Sequence, residues 1–309
     1  MLATVSPRTP LAALCALLAV AGPAAPQDDA AVFRSNLRLV VLHATVLDPQ
    51  GHRVTNLPQS AFHVFENGVE QQLKVFHRED SPVSIGLIID DSGSMINKRQ
   101  KVAAAALSLV RASHPDDEVF ILHFNEKAYL DTDFTSDRAK LEQGLSTFDT
   151  RGTTALHDAL RLAIQHLARD AREDKKVLVV VTDGEDNSSA VAPDFVVQAA
   201  QQSNVLIYAV GLLTEIDDER SQRARRELDA LTQATGGQAF YLKDVSETDP
   251  TAREIAREIR DQYTLAYSPA NERLDGAYRK IKVLASGPDG INVRTRAGYY
   301  ATTPATSRE

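Results

Sequence analysis

Oxygen-bearing side chains at three separated places in this chain could converge on one cation. Asp90, Ser92 and Ser94 alternate along a short polar stretch, Asp90-Asp91-Ser92-Gly93-Ser94, that follows the apolar run Val83 to Ile89. Alternate residues of an extended turn can aim at one centre. Carboxylate and hydroxyl oxygens are hard donors that suit Mg²⁺, Mn²⁺ or Ca²⁺ rather than zinc. A second group, Gly152-Thr153-Thr154, offers threonine hydroxyls at the start of a helical pattern. A third, Thr182-Asp183-Gly184, adds another carboxylate at the end of an apolar run. Asp90 alone could serve as a helix cap, because Asp and Ser favour that position. Capping explains neither Asp183 nor the threonines.

Other chemistry finds less support. The eight histidines, His43, His52, His63, His77, His114, His123, His157 and His166, show no HExxH or paired-ligand spacing. Most of them read as ordinary surface or half-buried residues. A Ser94–His157–Asp183 triad lacks the G-x-S-x-G elbow that would expose a nucleophilic serine. A phosphatase of the haloacid type would need a carboxylate two residues after Asp90, where Ser92 stands. Glu185 and Asp186 read as a solvated acidic rim, Asp91 as polar surface, and the sequon at Asn187 as chance.

The elements that must hold these residues follow from periodicity. Continuous apolar runs predict buried strands at 83–89, 118–124, 176–181, 205–211 and 238–242. Helical patterns occupy 98–113, 136–146, 154–170, 193–202, 216–234 and 250–262. Leu156, Leu160, Ala163, Ile164 and Leu167 make one face of the third helix. In the last helix Ala252, Ile255, Ala256 and Ile259 face inward, and Arg253, Glu254, Arg257, Glu258 and Arg260 read as a wet face. Strands alternating with helices predict a doubly wound, mostly parallel sheet with helices on both sides. In such sheets ligands bind beyond the carboxyl ends of the strands, which is where Asp90 and Asp183 lie.

With these pieces in order, the chain resembles the von Willebrand factor type A (VWA) family. Its metal-ion-dependent adhesion site carries D-x-S-x-S, a distant Thr and a later Asp followed by Gly. The matching residues are Asp90, Ser92, Ser94, Thr154 and Asp183. The family's usual Gly-Gly-Thr is Arg151-Gly152-Thr153-Thr154 here; the register of Ala155 to Ala159 favours Thr154, with Thr153 as the alternative. The resemblance implies that Ser92 and Ser94 touch the metal directly. It further implies that Thr154 joins when ligand is bound, and that Asp90 and Asp183 act largely through water. The implied cofactor is Mg²⁺, with Mn²⁺ or Ca²⁺ as alternatives, and the implied ligand is an Asp or Glu side chain of a partner protein.

Flanking segments are strand-like. Leu37 to Leu47 breaks at Asp48-Pro49-Gln50-Gly51, and Asn67-Gly68 between two strand patterns signals a hairpin. Strand patterns return at 263–267, 279–285 and 291–296. The expected organisation is a signal peptide over 1–27, a β-rich segment over 28–80, a VWA domain over 81–262, a second β-rich segment over 263–300, and a flexible tail over 301–309. The two β-rich segments are expected to pair into one small sandwich that receives the α/β unit. This plan resembles bacterial secreted VWA-related proteins, whose F-x-V-x-E-[ND]-G phrase is Phe62 to Gly68 here.

The leader reading rests on Arg8, the apolar run Leu11 to Ala21 and the small residues that follow; the run is short for a membrane helix. Cys15 is the single cysteine, so a processed chain would hold no disulfide, thiolate zinc site or cysteine nucleophile. Loss of Arg8 lowers Lys+Arg from 34 to 33 against 42 acids, a net charge of −9. An acidic surface disfavours nucleic acid. The expected function is therefore an exported, secreted or periplasmic, metal-dependent adhesion-type module and not an enzyme. The alternatives are a metal-dependent hydrolase and a structural envelope or assembly protein. Neither the partner nor the oligomeric state is legible.

Overall fold

In the computed structural model, the strand–helix alternation after Val83 builds one six-stranded sheet, and the β-rich flanks build two four-stranded sheets. The structure describes residues 39–302 apart from 79, 147–149, 185, 214–218 and 288–289. The leader expected at 1–27, most of the tail and Glu185 lie outside the described residues.

The strands are β1 (Val40–Leu47), β2 (Phe62–Glu66), β3 (Val69–Gln71), β4 (Leu73–His77), β5 (Ser84–Asp90), β6 (Glu118–Phe124), β7 (Ala128–Thr135), β8 (Lys176–Thr182), β9 (Val205–Gly211), β10 (Ala239–Tyr241), β11 (Tyr263–Tyr267), β12 (Tyr278–Ala285), β13 (Asn292–Arg294) and β14 (Gly298–Tyr300). The helices are α1 (Arg99–Ala112), α2 (Arg138–Gly144), α3 (Leu156–Asp170), α4 (Pro193–Gln202), α5 (Glu219–Thr235) and α6 (Thr248–Asp261).

The large sheet has the order β10-β9-β8-β5-β6-β7. All its pairings are parallel except β6 with β7. The expected doubly wound, mostly parallel architecture is what forms. Strand β5 is buried at every position, and its alternate side chains feed two cores. Ile85, Leu87 and Ile89 pack with α1 and α6, while Ile88 packs on the side of α3, α4 and α5. This explains the unbroken apolar run: both faces are covered, so neither can be polar.

Strand β7 was not expected. It is half-exposed along its length and lies at the sheet edge, so its sequence (AYLDTDFT) carries no buried-strand signal. Helix α3 begins at Leu156 rather than 154, because residues 150–154 are held as a loop by other segments.

The flanks pair across the length of the chain. Strand β1 runs antiparallel to β11, and β11 to β4; β12 runs antiparallel to β2. The two sheets, β13-β1-β11-β4 and β14-β12-β2-β3, enclose a core of Leu42, Val64, Leu265, Tyr267 and Val283 with their neighbours. The hairpin at Asn67-Gly68 has both residues at positive φ, 49° and 83°, the condition for a tight type I′ turn. Glu66 just before it is buried and accepts the hydroxyls of Tyr267 and Tyr299 at 2.8 and 2.9 Å.

The reading of α6 as carrying a purely wet charged face is corrected. Glu258 is buried, accepts the Tyr208 hydroxyl at 2.8 Å and pairs with Arg294 of β13. Glu254 and Asp261 pair with Arg53, just after β1. These charges staple the α/β layer to the β layer, which periodicity alone cannot distinguish from solvation. Among the described residues no helix is long and apolar enough to cross a membrane.

Candidate functional site

Three loops meet at the carboxyl ends of β5 and β8. The first leaves β5 at Asp90. Its carboxylate accepts the Ser92 amide at 2.9 Å and the Thr182 hydroxyl at 2.6 Å, so it locks its own turn to the neighbouring strand and caps no helix. Ser92 and Ser94 then stand with hydroxyl oxygens 3.0 Å apart. Ser92 is buried and Ser94 exposed.

The second loop carries Thr153 and Thr154. The Gly93 amide donates to the Gly152 carbonyl at 3.0 Å, and the Arg151 amide to the Asp91 carbonyl at 3.0 Å. A Cβ on Gly93 would lie 3.2 Å from the Gly152 oxygen, so glycine permits this close approach. Thr154 is buried and Thr153 exposed. The third loop, after β8, closes on the second: the Thr154 amide donates to Asn187 Oδ1 at 2.9 Å, and the Asn187 amide to the Thr154 carbonyl at 3.0 Å. The Asn187 side chain of the sequon is thus engaged in positioning Thr154.

Asp183 sits in this third loop. Its Oδ2 accepts from Lys98 Nζ at 2.9 Å, and its Oδ1 is buried with no protein partner. Burial first, and the negative charge of Asp183 in addition, push the Asp90 carboxyl up to about 6, against the opposing pull of the Ser92 and Thr182 hydrogen bonds. A buried carboxylate oxygen without a donor is costly, and two carboxylates influencing each other in a buried place favour a bound cation. Hydroxyl and carboxylate oxygens with one unsatisfied acceptor fit a hard divalent ion. Among the described residues no three or more His, Cys, Asp or Glu side chains cluster to hold a metal. The set here has two carboxylates, and its remaining donors are hydroxyls.

Several expectations are corrected around the site. Asp91 is not polar surface. It is fully buried, with Oδ2 2.9 Å from His123 Nδ1 and 3.1 Å from the Tyr129 hydroxyl. His123 in β6 and Tyr129 in β7 therefore brace the loop from below. Asp186 is not a solvated rim: it accepts from the amides of His157, Ser188 and Ser189 and from the Ser189 hydroxyl. The histidines are also less peripheral than expected, since His43, His123, His157 and His166 are all buried. The imagined triad does not assemble. His157 pairs with Glu227 and Asp186, which raise its pKa against the opposing effect of burial, while Asp183 pairs with Lys98.

The sequence model of the von Willebrand factor type A domain matches residues 84–257, more than half of the chain. The chain belongs to the VWA family. Domains of this family serve as protein-interaction modules. The chain is 29% identical over 166 residues to mouse calcium-activated chloride channel regulator 1, covering 51% of this chain and 17% of that protein. It is 24% identical over 186 residues to an uncharacterised protein of Synechocystis, covering 58% and 42% respectively. The chain thus spans less than half the length of these relatives. A solved von Willebrand factor type A structure from Catenulispora acidiphila superposes with a TM-score of 0.51 at 14% identity, covering 86% of this chain and 75% of that one. That likeness speaks to the VWA fold.

Proposed function

We propose that this VWA chain is an exported protein-binding module whose site holds a divalent cation, Mg²⁺ first and Mn²⁺ or Ca²⁺ as alternatives. Asp90, Ser92, Ser94, Thr154 and Asp183 would hold it, with Thr153 as the alternative threonine. The bound ion would supply an electrophilic centre for an Asp or Glu side chain of a partner protein. The observation that carries this reading is the buried Asp183 Oδ1 without a protein partner, at the meeting of three loops that already present the Ser92 and Ser94 hydroxyls side by side. Asp90 supports the same reading by spending its oxygens on the Ser92 amide and the Thr182 hydroxyl, a role suited to contact with a metal through water. His157, the nearest histidine in sequence to Thr154, is committed to Glu227 and Asp186. Export rests on the leader-like sequence alone.

The test is calorimetry with Mg²⁺ and Mn²⁺ before and after EDTA, on the wild type and on Asp90→Ala and Asp183→Ala. Saturable binding that both substitutions weaken at least tenfold supports the proposal. Equal binding by all three proteins, or none by the wild type, sinks it. Ester or phosphate hydrolysis that disappears with EDTA would favour the hydrolase instead.

A further inference from the structure

A second candidate site lies at the other end of the large sheet, where the outward face of the β13-β1-β11-β4 sheet meets the entries of the parallel strands. A cavity of about 500 Å³ opens there, within the range of about 300–1,000 Å³ usual for small-molecule sites. Three of its polar lining residues stand on one row of the β sheet. His43 of β1 pairs in register with Thr264 of β11, and Thr264 pairs with His77 of β4, so the three side chains share one face. All three line the cavity. From the opposite wall comes Lys175, immediately before β8, and from the end of α6 comes Gln262.

Lys175 Nζ donates to the Ile259 carbonyl, while the two histidines and Gln262 are incompletely satisfied. His43 is 7% exposed and Gln262 is 2% exposed, and His43 Nε2 and Gln262 Oε1 are buried with no hydrogen-bond partner. His77 Nδ1 is likewise buried without one. The Gln262 oxygen is itself an acceptor and needs a donor, whereas the two unpaired imidazole nitrogens beside one cavity can each donate to a bound acceptor group. The charge of that group follows from its neighbours. His43 is held well below its ordinary value by burial first, then by the positive charges of Lys175, Arg296 and His77; no carboxylate is among these influences. Arg260, which also lines the cavity, is committed to Asp80 and Asp117. The two acidic lining residues are Glu173, half-exposed, and Asp174, exposed. The remaining wall carries Ser81 and Asn204 and is otherwise apolar, with Val41, Val75, Ile259 and Ala266 among its members.

We infer that this cavity binds a small amphiphilic carboxylate, its acid group among His43, His77 and Lys175 and its apolar body against Val41, Val75 and Ile259. An anion there supplies acceptors to the unpaired imidazole nitrogens and a counter-charge to the Lys175 ammonium, and the apolar wall contributes burial of the tail. The site is separate from the Asp183 loops, since Lys175 precedes β8 and Asp183 follows it. A two-ended ligand is required by the lining: a purely polar anion leaves the apolar wall wet, and a neutral apolar molecule leaves the nitrogens unpaired.

Sodium decanoate titrated into the full chain tests this, read by calorimetry and by the imidazole Cε1 protons, with decanol and inorganic phosphate as controls. The expected result is one saturable site that shifts the His43 and His77 resonances. Decanol and phosphate should bind at least tenfold more weakly than decanoate. Lys175→Met and His43→Leu should each weaken decanoate at least tenfold, and Val75→Phe, which narrows the cavity and keeps both histidines, should abolish binding. A cooperative melt confirms that each variant is folded, and Val75→Phe decides the matter if the polar variants are not. Unmoved histidine resonances, equal affinity across the folded variants, or decanol binding as tightly as decanoate would each overturn the inference.

Discussion

Lys98 Nζ stands 2.9 Å from Asp183 Oδ2, with both side chains largely shielded from solvent. Lys98 ends the short 3₁₀ turn Gly93–Lys98 that carries Ser94, so the ammonium and the candidate metal donors belong to one segment. A divalent ion and the lysine would compete for the same carboxylate. Lys98→Met should therefore strengthen Mn²⁺ binding, by roughly tenfold if the competing charge is worth about 1.4 kcal/mol. Calorimetry on the wild type and the variant checks this. Unchanged or weaker binding by the variant would show that the lysine does not oppose the ion.

The buried Asp91–His123 pair should hold the site loop from beneath. Removing one partner of a buried pair typically costs about 3–5 kcal/mol, so Asp91→Ala should lower the denaturant midpoint substantially. His123→Ala and the double variant complete a cycle. A coupling energy near zero would mean that the two residues act separately.

Gly86 lies in the middle of β5, where a Cβ would come within 2.5 Å of Leu178 Cδ2 and closer still to the Phe120 ring. Phe120 and Leu178 are both fully buried. Gly86→Ala should destabilise the fold by about 1–3 kcal/mol through overpacking. Chemical denaturation measures it directly, and a neutral result would show that the Phe120 ring can yield.

Lys175 supplies a pH dependence. Burial first, and the charge of Arg260 after it, lower its pKa from the ordinary 10.5 to about 7. Between about 7 and 10.5 the unfolded chain holds a proton that the folded chain has released, so this group makes stability rise with pH across that window. Below about 7 both states are protonated and the whole cost of burying the ammonium is present. Lys175→Met should remove the rise, whose slope is at most roughly 1.4 kcal/mol per pH unit. Melting curves at pH 6, 7.5 and 9 on both proteins would test it; parallel curves would contradict it.

Much of the α/β architecture is legible in the chain itself. Strands β6 and β9 fall at the expected residues, because a strand covered on both faces must be continuously apolar and that pattern is local. The same holds for Asn67-Gly68, whose turn geometry is a property of two residues. The candidate donors are a proposal drawn from the abrupt change of polarity at strand ends and helix starts.

Tertiary structure decided what polarity alone leaves open. Asp91 and Ser92 are neighbours in a polar loop, yet Asp91 turns inward only because His123 and Tyr129 wait beneath it. Glu258 lies in a charged helical face and is buried because Arg294, far along the chain, reaches it. Edge strand β7 forms through pairing with β6 rather than through any apolar signal of its own. His43 and His77 come to one row only because β11 inserts between their strands. In each case the outcome depends on a partner distant in sequence, and a single chain read locally carries no record of that partner.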